Sequence, residues 1–234
     1  MGSAHCRALA GLGAHVVVQD LRAEKAEKVV ADIETNGGSA EVLEGDITEL
    51  QVVLPKIRSI LASRNIDILV NHAGISGLSK TFEDIDEIFF DKMMSVHVKS
   101  AFFITQTVVS QMKEQCWGRI INIASDFSMY GSPAASHYTA SKSALLGLTK
   151  SWARELAQWK ICVNAVAPTL LKSELTIKST GEAFLEAESR RAPMGELPKP
   201  DDVAAVVGFL ASPAAQAITG QTISPNGGRT IVGI

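Results

Sequence analysis

The chain lacks a cysteine framework, blocks of like charge and long apolar runs. Its three cysteines, Cys6, Cys116 and Cys162, are odd in number, widely separated and not at metal-ligand spacing. A disulfide scaffold and a metal site are therefore disfavoured, and reduced structural thiols in the cytoplasm are expected. A net charge of −3 and a pI near 6.0, with no long run of one sign, give no reason to expect nucleic acid or an anionic membrane as a partner. No apolar stretch approaches the roughly 20 residues that a spanning helix needs, and no signal-peptide pattern is expected. Internal repeats and low-complexity linkers are also missing. What remains, at 234 residues with 46% hydrophobic and 20% charged, is the composition of one globular α/β domain with a substantial core.

Short apolar runs alternate with longer helical patterns. Strands are expected over His15 to Gln19, Ala40 to Leu43, Ile66 to Val70, Arg119 to Ala124, Ile161 to Val166 and Gln221 to Ser224. Helices are expected near Arg22 to Thr35, Thr48 to Ser63, Ile85 to Gln115, Tyr138 to Gln158 and Asp201 to Leu210. This alternation predicts a doubly wound, Rossmann-like parallel sheet in a single domain over 1–234. The segment from Thr169 to Pro200 breaks the rhythm with mixed charge, small residues and three prolines, and is the candidate substrate lid.

The most informative residues are Tyr138-Thr139-Ala140-Ser141-Lys142, with Ser125 thirteen residues upstream. On a helix, Tyr138 and Lys142 share a face. A strand ending at Ser125 would bring a hydroxyl to the same cleft, at the carboxyl edge of a parallel sheet. A phenol of pKa about 10 needs roughly 3 units of depression, or about 4 kcal/mol, to act as a base near neutrality. A positive charge about 4 Å away supplies on the order of 4 kcal/mol at an effective dielectric of about 20. Base, cation and hydroxyl donor together point to redox chemistry at an alcohol or ketone. As an isolated pattern, Tyr-x-x-x-Lys is more often a surface pair; the strand ending at Ser125 is what changes the odds.

Further motifs fall in order. They are Asp67-Ile68-Leu69-Val70-Asn71-His72-Ala73-Gly74, Asn164-Ala165-Val166-Ala167-Pro168-Thr169, and Ile218-Thr219-Gly220-Gln221 followed by Asn226-Gly227-Gly228. With Ser125, Tyr138 and Lys142 they resemble the short-chain dehydrogenase/reductase family over nearly the whole chain. The departures are His72 for an Asn and Thr169 for a Gly. The resemblance implies hydride transfer between a nicotinamide cofactor and a secondary alcohol or ketone. In it Tyr138 serves as acid or base, Ser125 binds the reacting oxygen, and Lys142 assists Tyr138 and holds the nicotinamide ribose. It also implies that Asp46 and Ile47 contact the adenine and that Asn71, Ala73 and Gly74 follow the ribose and phosphates. Pro168, Leu171 and Ser173 would lie toward the nicotinamide. His97 takes the place of an Asn tied to a proton relay, where it could serve that relay or merely fill space. His72 reads as a turn residue and His137 as a cleft-edge residue. Trp117, Trp152 and Trp159 read as packing anchors. The two long helices imply a homotetramer or dimer.

Asp20 ends its expected strand, where a carboxylate binds adenosine ribose hydroxyls and repels a 2′-phosphate, favouring NAD over NADP. Asp20 could equally cap the following helix, and Arg22 could soften the discrimination. The resemblance also leaves something out. Its first strand is not in this chain, and counting back from Gly13 places Met1 between the last two glycines of the expected phosphate-binding turn. Three or four buried aliphatic side chains at about 1.5 to 3 kcal/mol each amount to roughly 5 to 12 kcal/mol. That is comparable with a typical net stability of about 5 to 15 kcal/mol, so an upstream segment carrying that strand is expected. The remaining alternatives are an NADP-linked 3-oxoacyl reductase, for which Arg190, Arg191 and Lys199 would be a thin docking patch, and a noncatalytic binding or oligomerisation module.

Overall fold

The computed structural model describes residues 1–76 and 80–231. No element was expected ahead of His15, yet the chain opens with helix α1 (Gly2–Gly11). Its buried face is made of Ala4, His5 and Leu9, too small and too polar to give a clear apolar period. Strand β1 (His15–Asp20), helix α2 (Ala23–Thr35) and strand β2 (Ser39–Glu44) follow, with β1 and β2 paired in parallel, Val16 opposite Ala40 and Val18 opposite Val42. Helix α3 (Leu50–Ser63) leads to strand β3 (Ile68–Asn71).

The helix expected over Ile85 to Gln115 is interrupted. Helix α4 (Glu87–Met94) passes through a π-helical turn at Ser95–Lys99 into helix α5 (Ser100–Gln115). Such turns insert a residue into a helix and concentrate at functional sites; this one carries His97 at its centre. Strand β4 (Gly118–Ile123), the short helix α6 (Phe127–Tyr130), helix α7 (Ser136–Leu156) and strand β5 (Ile161–Val166) come next. The candidate lid folds into helices α8 (Glu174–Thr180) and α9 (Glu182–Arg191), with Leu185 and Leu197 buried beneath it. Helix α10 (Pro200–Ala211) and strand β6 (Thr222–Ile223) complete the order.

Strands β3, β4, β5 and β6 form one parallel sheet in that order, and β1 and β2 form another. Every residue of β4 and β5 is buried, as expected of strands covered on both faces. Alternation along β4 sends Ile121 and Ile123 into a core with Leu9, Val18, Ile33, Val203 and Val207, so α1, α2 and α10 cover one face. Ile120 points the other way, into a core with Ile57, Val108, Met112, Trp152 and Leu156 from α3, α5 and α7. The two sheets do not pair with one another. Between them lies a cavity of about 1840 Å³ lined by Val16, Val17 and Val18 of β1 and Ile68, Leu69 and Val70 of β3. The interruption falls where the family resemblance puts its first strand.

Candidate active site

The buried β4 delivers Ser125. Past its end, the Ala124 N–H donates to the Val166 carbonyl at 2.8 Å and the Asp126 N–H to the Pro168 carbonyl at 3.0 Å, which fixes the chain on both sides of Ser125. Ser125 Oγ accepts from the Phe127 N–H at 3.3 Å and lies 3.4 Å from Asp126 Oδ1. Helix α7 places Tyr138 and Lys142 one turn apart. Lys142 is only 5% exposed, and its Nζ donates to the Ile123 carbonyl at 2.8 Å while standing 5.8 Å from the centre of the Tyr138 ring. Desolvation lowers the Lys142 pKa to about 8.

The Tyr138 phenol is not depressed by its surroundings, contrary to expectation. Burial pushes the Tyr138 pKa up, and the Asp126 charge adds to the rise, while a hydrogen bond with Ser125 pulls the other way. The Lys142 ammonium stands 5.8 Å from the ring centre and also donates to the Ile123 carbonyl at 2.8 Å.

His97 is buried between these groups. Its Nε2 accepts from the Ile75 N–H at 2.9 Å, so in the neutral ring Nδ1 carries the proton and donates to Ser141 Oγ at 2.7 Å. Ser141 Oγ in turn donates to the Tyr138 carbonyl at 2.8 Å. Burial, and then the Lys142 charge, lower the His97 pKa to about 3, which keeps the ring neutral. Both ring nitrogens are engaged. The side chain therefore fastens the Gly74–Ile75 turn to α7 through both ring nitrogens. A Cβ on Gly74 would come within 2.8 Å of His97 Nε2, so this approach requires glycine.

The expected cofactor residues divide into two groups. Asp20, Asp46, Ile47, Asn71, Ala73, Gly74 and His97 line the large cavity together with Met1, Gly2 and Ser3 at the start of α1. Tyr138, Lys142, Pro168, Leu171 and Ser173 do not line it, and neither does Ser125. Leu171 packs into the core and Ser173 Oγ accepts from the Thr176 N–H to cap α8. Asn71 spends its amide on Asn122 Oδ1 at 2.8 Å and Thr105 Oγ1 at 3.1 Å, an internal polar bridge. Asp46 accepts from the Thr48 N–H and hydroxyl at 2.8 and 2.7 Å, which shapes the loop after β2.

The residues present suit a dinucleotide. The carboxyl ends of β1 and β3 and the first turn of α1 meet at one cavity, and a helix N-terminus favours an anionic group. Gly2 packs closely on His72, where a Cβ would come within 3.0 Å of His72 Cδ2, and among the described residues the buried His72 Nδ1 has no hydrogen-bond partner. His72 packs edge-on against His5 with ring centres 5.0 Å apart. His137 is buried, with its ring 5.2 Å from that of Phe89. Among the described residues, no three of His, Cys, Asp and Glu are placed to hold a metal ion.

Sequence reasoning missed Asp126, Ser141 and Thr230. Ser141 was discoverable, because it lies three residues after Tyr138 on the same helical face. Thr230 meets Asp126 across 104 positions of sequence, and no local pattern announces that contact.

Comparison with known proteins agrees with this architecture. Residues 1–230 match a family model described as enoyl-(acyl carrier protein) reductase. The 3-oxoacyl-(acyl-carrier-protein) reductase of Thermotoga maritima is 35% identical over 232 residues, covering 99% of this chain and 94% of that protein. A crystal structure from Beutenbergia cavernae, described as an NAD(P)-dependent gluconate 5-dehydrogenase with NADP bound at low occupancy, has a TM-score of 0.90. It is 31% identical, covering 96% of this chain and 90% of that one. A short-chain alcohol dehydrogenase structure from Sinorhizobium meliloti has a TM-score of 0.88 at 34% identity, covering 97% of this chain and 90% of that one. Serine, tyrosine and lysine at the carboxyl edge of a doubly wound sheet, with relatives matched along almost their whole length, place the chain in the short-chain dehydrogenase/reductase family, oxidoreductases that act on CH–OH or keto groups with a nicotinamide cofactor.

Proposed function

We propose that this chain interconverts a small secondary alcohol and its ketone with NAD as the preferred carrier, and that Ser125, Tyr138 and Lys142 perform the chemistry. The observation that carries this reading is the convergence of β4 and α7, which brings the three side chains to one strand end. A bound nicotinamide supplies or accepts the hydride. Tyr138 gives its proton to the carbonyl oxygen in reduction and removes the hydroxyl proton in oxidation. Ser125 hydrogen-bonds the same oxygen and stabilises the charge that develops on it. Lys142 holds positive charge beside the phenol, and His97 and Ser141 keep α7 in register with the Gly74 turn.

Asp20 supports NAD. It ends β1 at the cavity, and its carboxylate accepts from the Arg22 N–H at 3.0 Å, so the capping and selecting roles coexist. The Arg22 guanidinium lies 4.0 Å from Glu24, which offsets the charge it could offer a 2′-phosphate. A small substrate is favoured over a thioester on an acidic carrier because two of the three basic residues of the thin patch already have acidic neighbours. Arg191 bonds Glu188 at 2.8 Å and Arg190 lies 4.0 Å from Glu186. Residues 169–200 act as the lid in this reading. Exposed Phe102 on α5, 5.9 Å from Trp152 of α7, supports pairing of these helices with a second copy. The cytoplasm is the compartment in this reading.

Calorimetric titration with NADH and NADPH, followed by assay of Tyr138→Phe, tests the proposal. NADH should bind more tightly, and Y138F should bind it equally well without turnover. Turnover by Y138F refutes the assignment, and tighter NADPH binding refutes the role of Asp20.

A further inference from the structure

Next to Ser125 lies a carboxylate that this mechanism does not use. Asp126 is 1% exposed, and among the described residues no basic side chain forms an ion pair with it. Hydroxyls surround it instead. Its Oδ1 lies 3.4 Å from Ser125 Oγ, its Oδ2 accepts from Thr230 Oγ1 at 3.3 Å, and the Thr169 hydroxyl and the Phe127 N–H also point at it. Contacts of this length are individually weak, and what distinguishes the place is their convergence on one buried carboxylate. Thr230 belongs to the turn after β6, where Asn226 Nδ2 donates to the Thr230 carbonyl at 2.7 Å. The neighbouring Arg229 bonds Glu188 of α9 at 2.6 Å.

We propose that Asp126 is a positioning residue for the reaction assigned above: its carboxylate holds the Ser125 hydroxyl and joins it, through Thr230 and Arg229, to α9. This rests on the proposed roles of Ser125 and Tyr138. The carboxylate also acts on Tyr138, since a negative charge nearby favours the protonated phenol. Protonated Tyr138 is the form that donates to a carbonyl. Burial raises the Asp126 pKa, and its hydrogen bonds to Thr169, Thr230, Ser125 and Phe127 pull it back; an ionised Asp126 moves the onset of alcohol oxidation, which needs the phenolate, to higher pH. Other groups face the pair. The Lys142 ammonium opposes Asp126, and His97, with its ring 5.5 Å from that of Tyr138, is neutral in this range. Tyr130 of α6 feels Asp126 and Glu188 on one side and Arg229 on the other.

The chain has only two tyrosines, so in Tyr130→Phe the phenolate absorbance reports Tyr138 alone, without cofactor or substrate. Adding Asp126→Asn should lower the titration midpoint by about one pH unit, a tenfold change in proton affinity. The acid limb of the oxidation rate should move by the same amount. An unmoved or raised midpoint in folded D126N overturns the proposal. Asp126→Ser serves as the second variant and carries the same expectation. On the unsubstituted chain, the Asp126 carboxyl carbon followed by NMR must report an ionised group at pH 7, and a neutral carboxyl there overturns the proposal whether or not the variants fold. If the midpoint falls while Y138F keeps turnover, the functional assignment fails and the effect of Asp126 on Tyr138 stands.

Discussion

At the scale of single residues, the buried histidines show how far chemistry departs from residue type. His97 was legible as an unusual residue in the right place, but its role was not, because the role depends on which nitrogen carries the proton. That is set by the Ile75 N–H, a backbone group no sequence pattern reveals. Replacing His97 with Leu leaves the Ile75 N–H and Ser141 without their partner and should cost about 1 to 3 kcal/mol in urea denaturation, while Asn should recover part of the loss. Equal stability of the two variants would show that the bridge contributes nothing. Three of the histidines also set an acid limit. Desolvation, the largest cause in each case, lowers His5 to about 4 and His72 and His97 to about 3. The unfolded chain, with histidines near pH 6.5, then binds more protons between those values. Their contribution is complete above about pH 6.5 and falls as pH drops toward 4 and then 3, at up to about 1.4 kcal/mol per pH unit for each histidine. Urea midpoints measured from pH 7 to 5 should decline, and His5→Leu should make the slope shallower; a parallel slope would refute the account for His5.

At the scale of elements, period and composition exposed β4 and β5 because both are buried on every side, and they exposed α7 because its apolar positions recur each turn. The helices of the lid were not legible. Their turns are short and mixed in charge, and what fixes them is capping and a few buried side chains such as Leu185. Ser173 shows the consequence, since the family resemblance sends it to the cofactor while the structure uses its hydroxyl to cap α8. Ser173→Ala should therefore weaken α8 by about 1 kcal/mol. Amide exchange over Thr176 to Thr180 should speed up by roughly fivefold, with NADH affinity nearly unchanged. A large loss of NADH affinity with unaltered exchange would return Ser173 to the cofactor site.

For the whole molecule, the parallel sheet and the placing of the site at its carboxyl edge followed from the alternation of elements, while the break between β1 and β3 is a finding of the structure. The shape of that break was beyond the sequence, because it depends on β1 and β3 keeping their places on either side of a cavity while only their outer edges are paired. The core explains how they do so. Val16 and Val18 remain packed with Leu9 of α1 and Ile33 of α2, and the cluster reaches β4 through Ile121 and Ile123, so helices bridge what the sheet does not. Side-chain burial and backbone pairing thus separate here, and amide exchange reads the second. In β4, paired on both sides, amides should exchange only through global opening. In β1 and β3, the half of the amides that point into the cavity have no strand partner among the described residues and should exchange orders of magnitude faster, although they sit at the middle of the fold. Native-state exchange followed by NMR distinguishes the two classes. Fast exchange confined to the inner edges of β1 and β3 is the expected outcome, and protection there equal to that of β4 would mean that another segment pairs with both edges in solution.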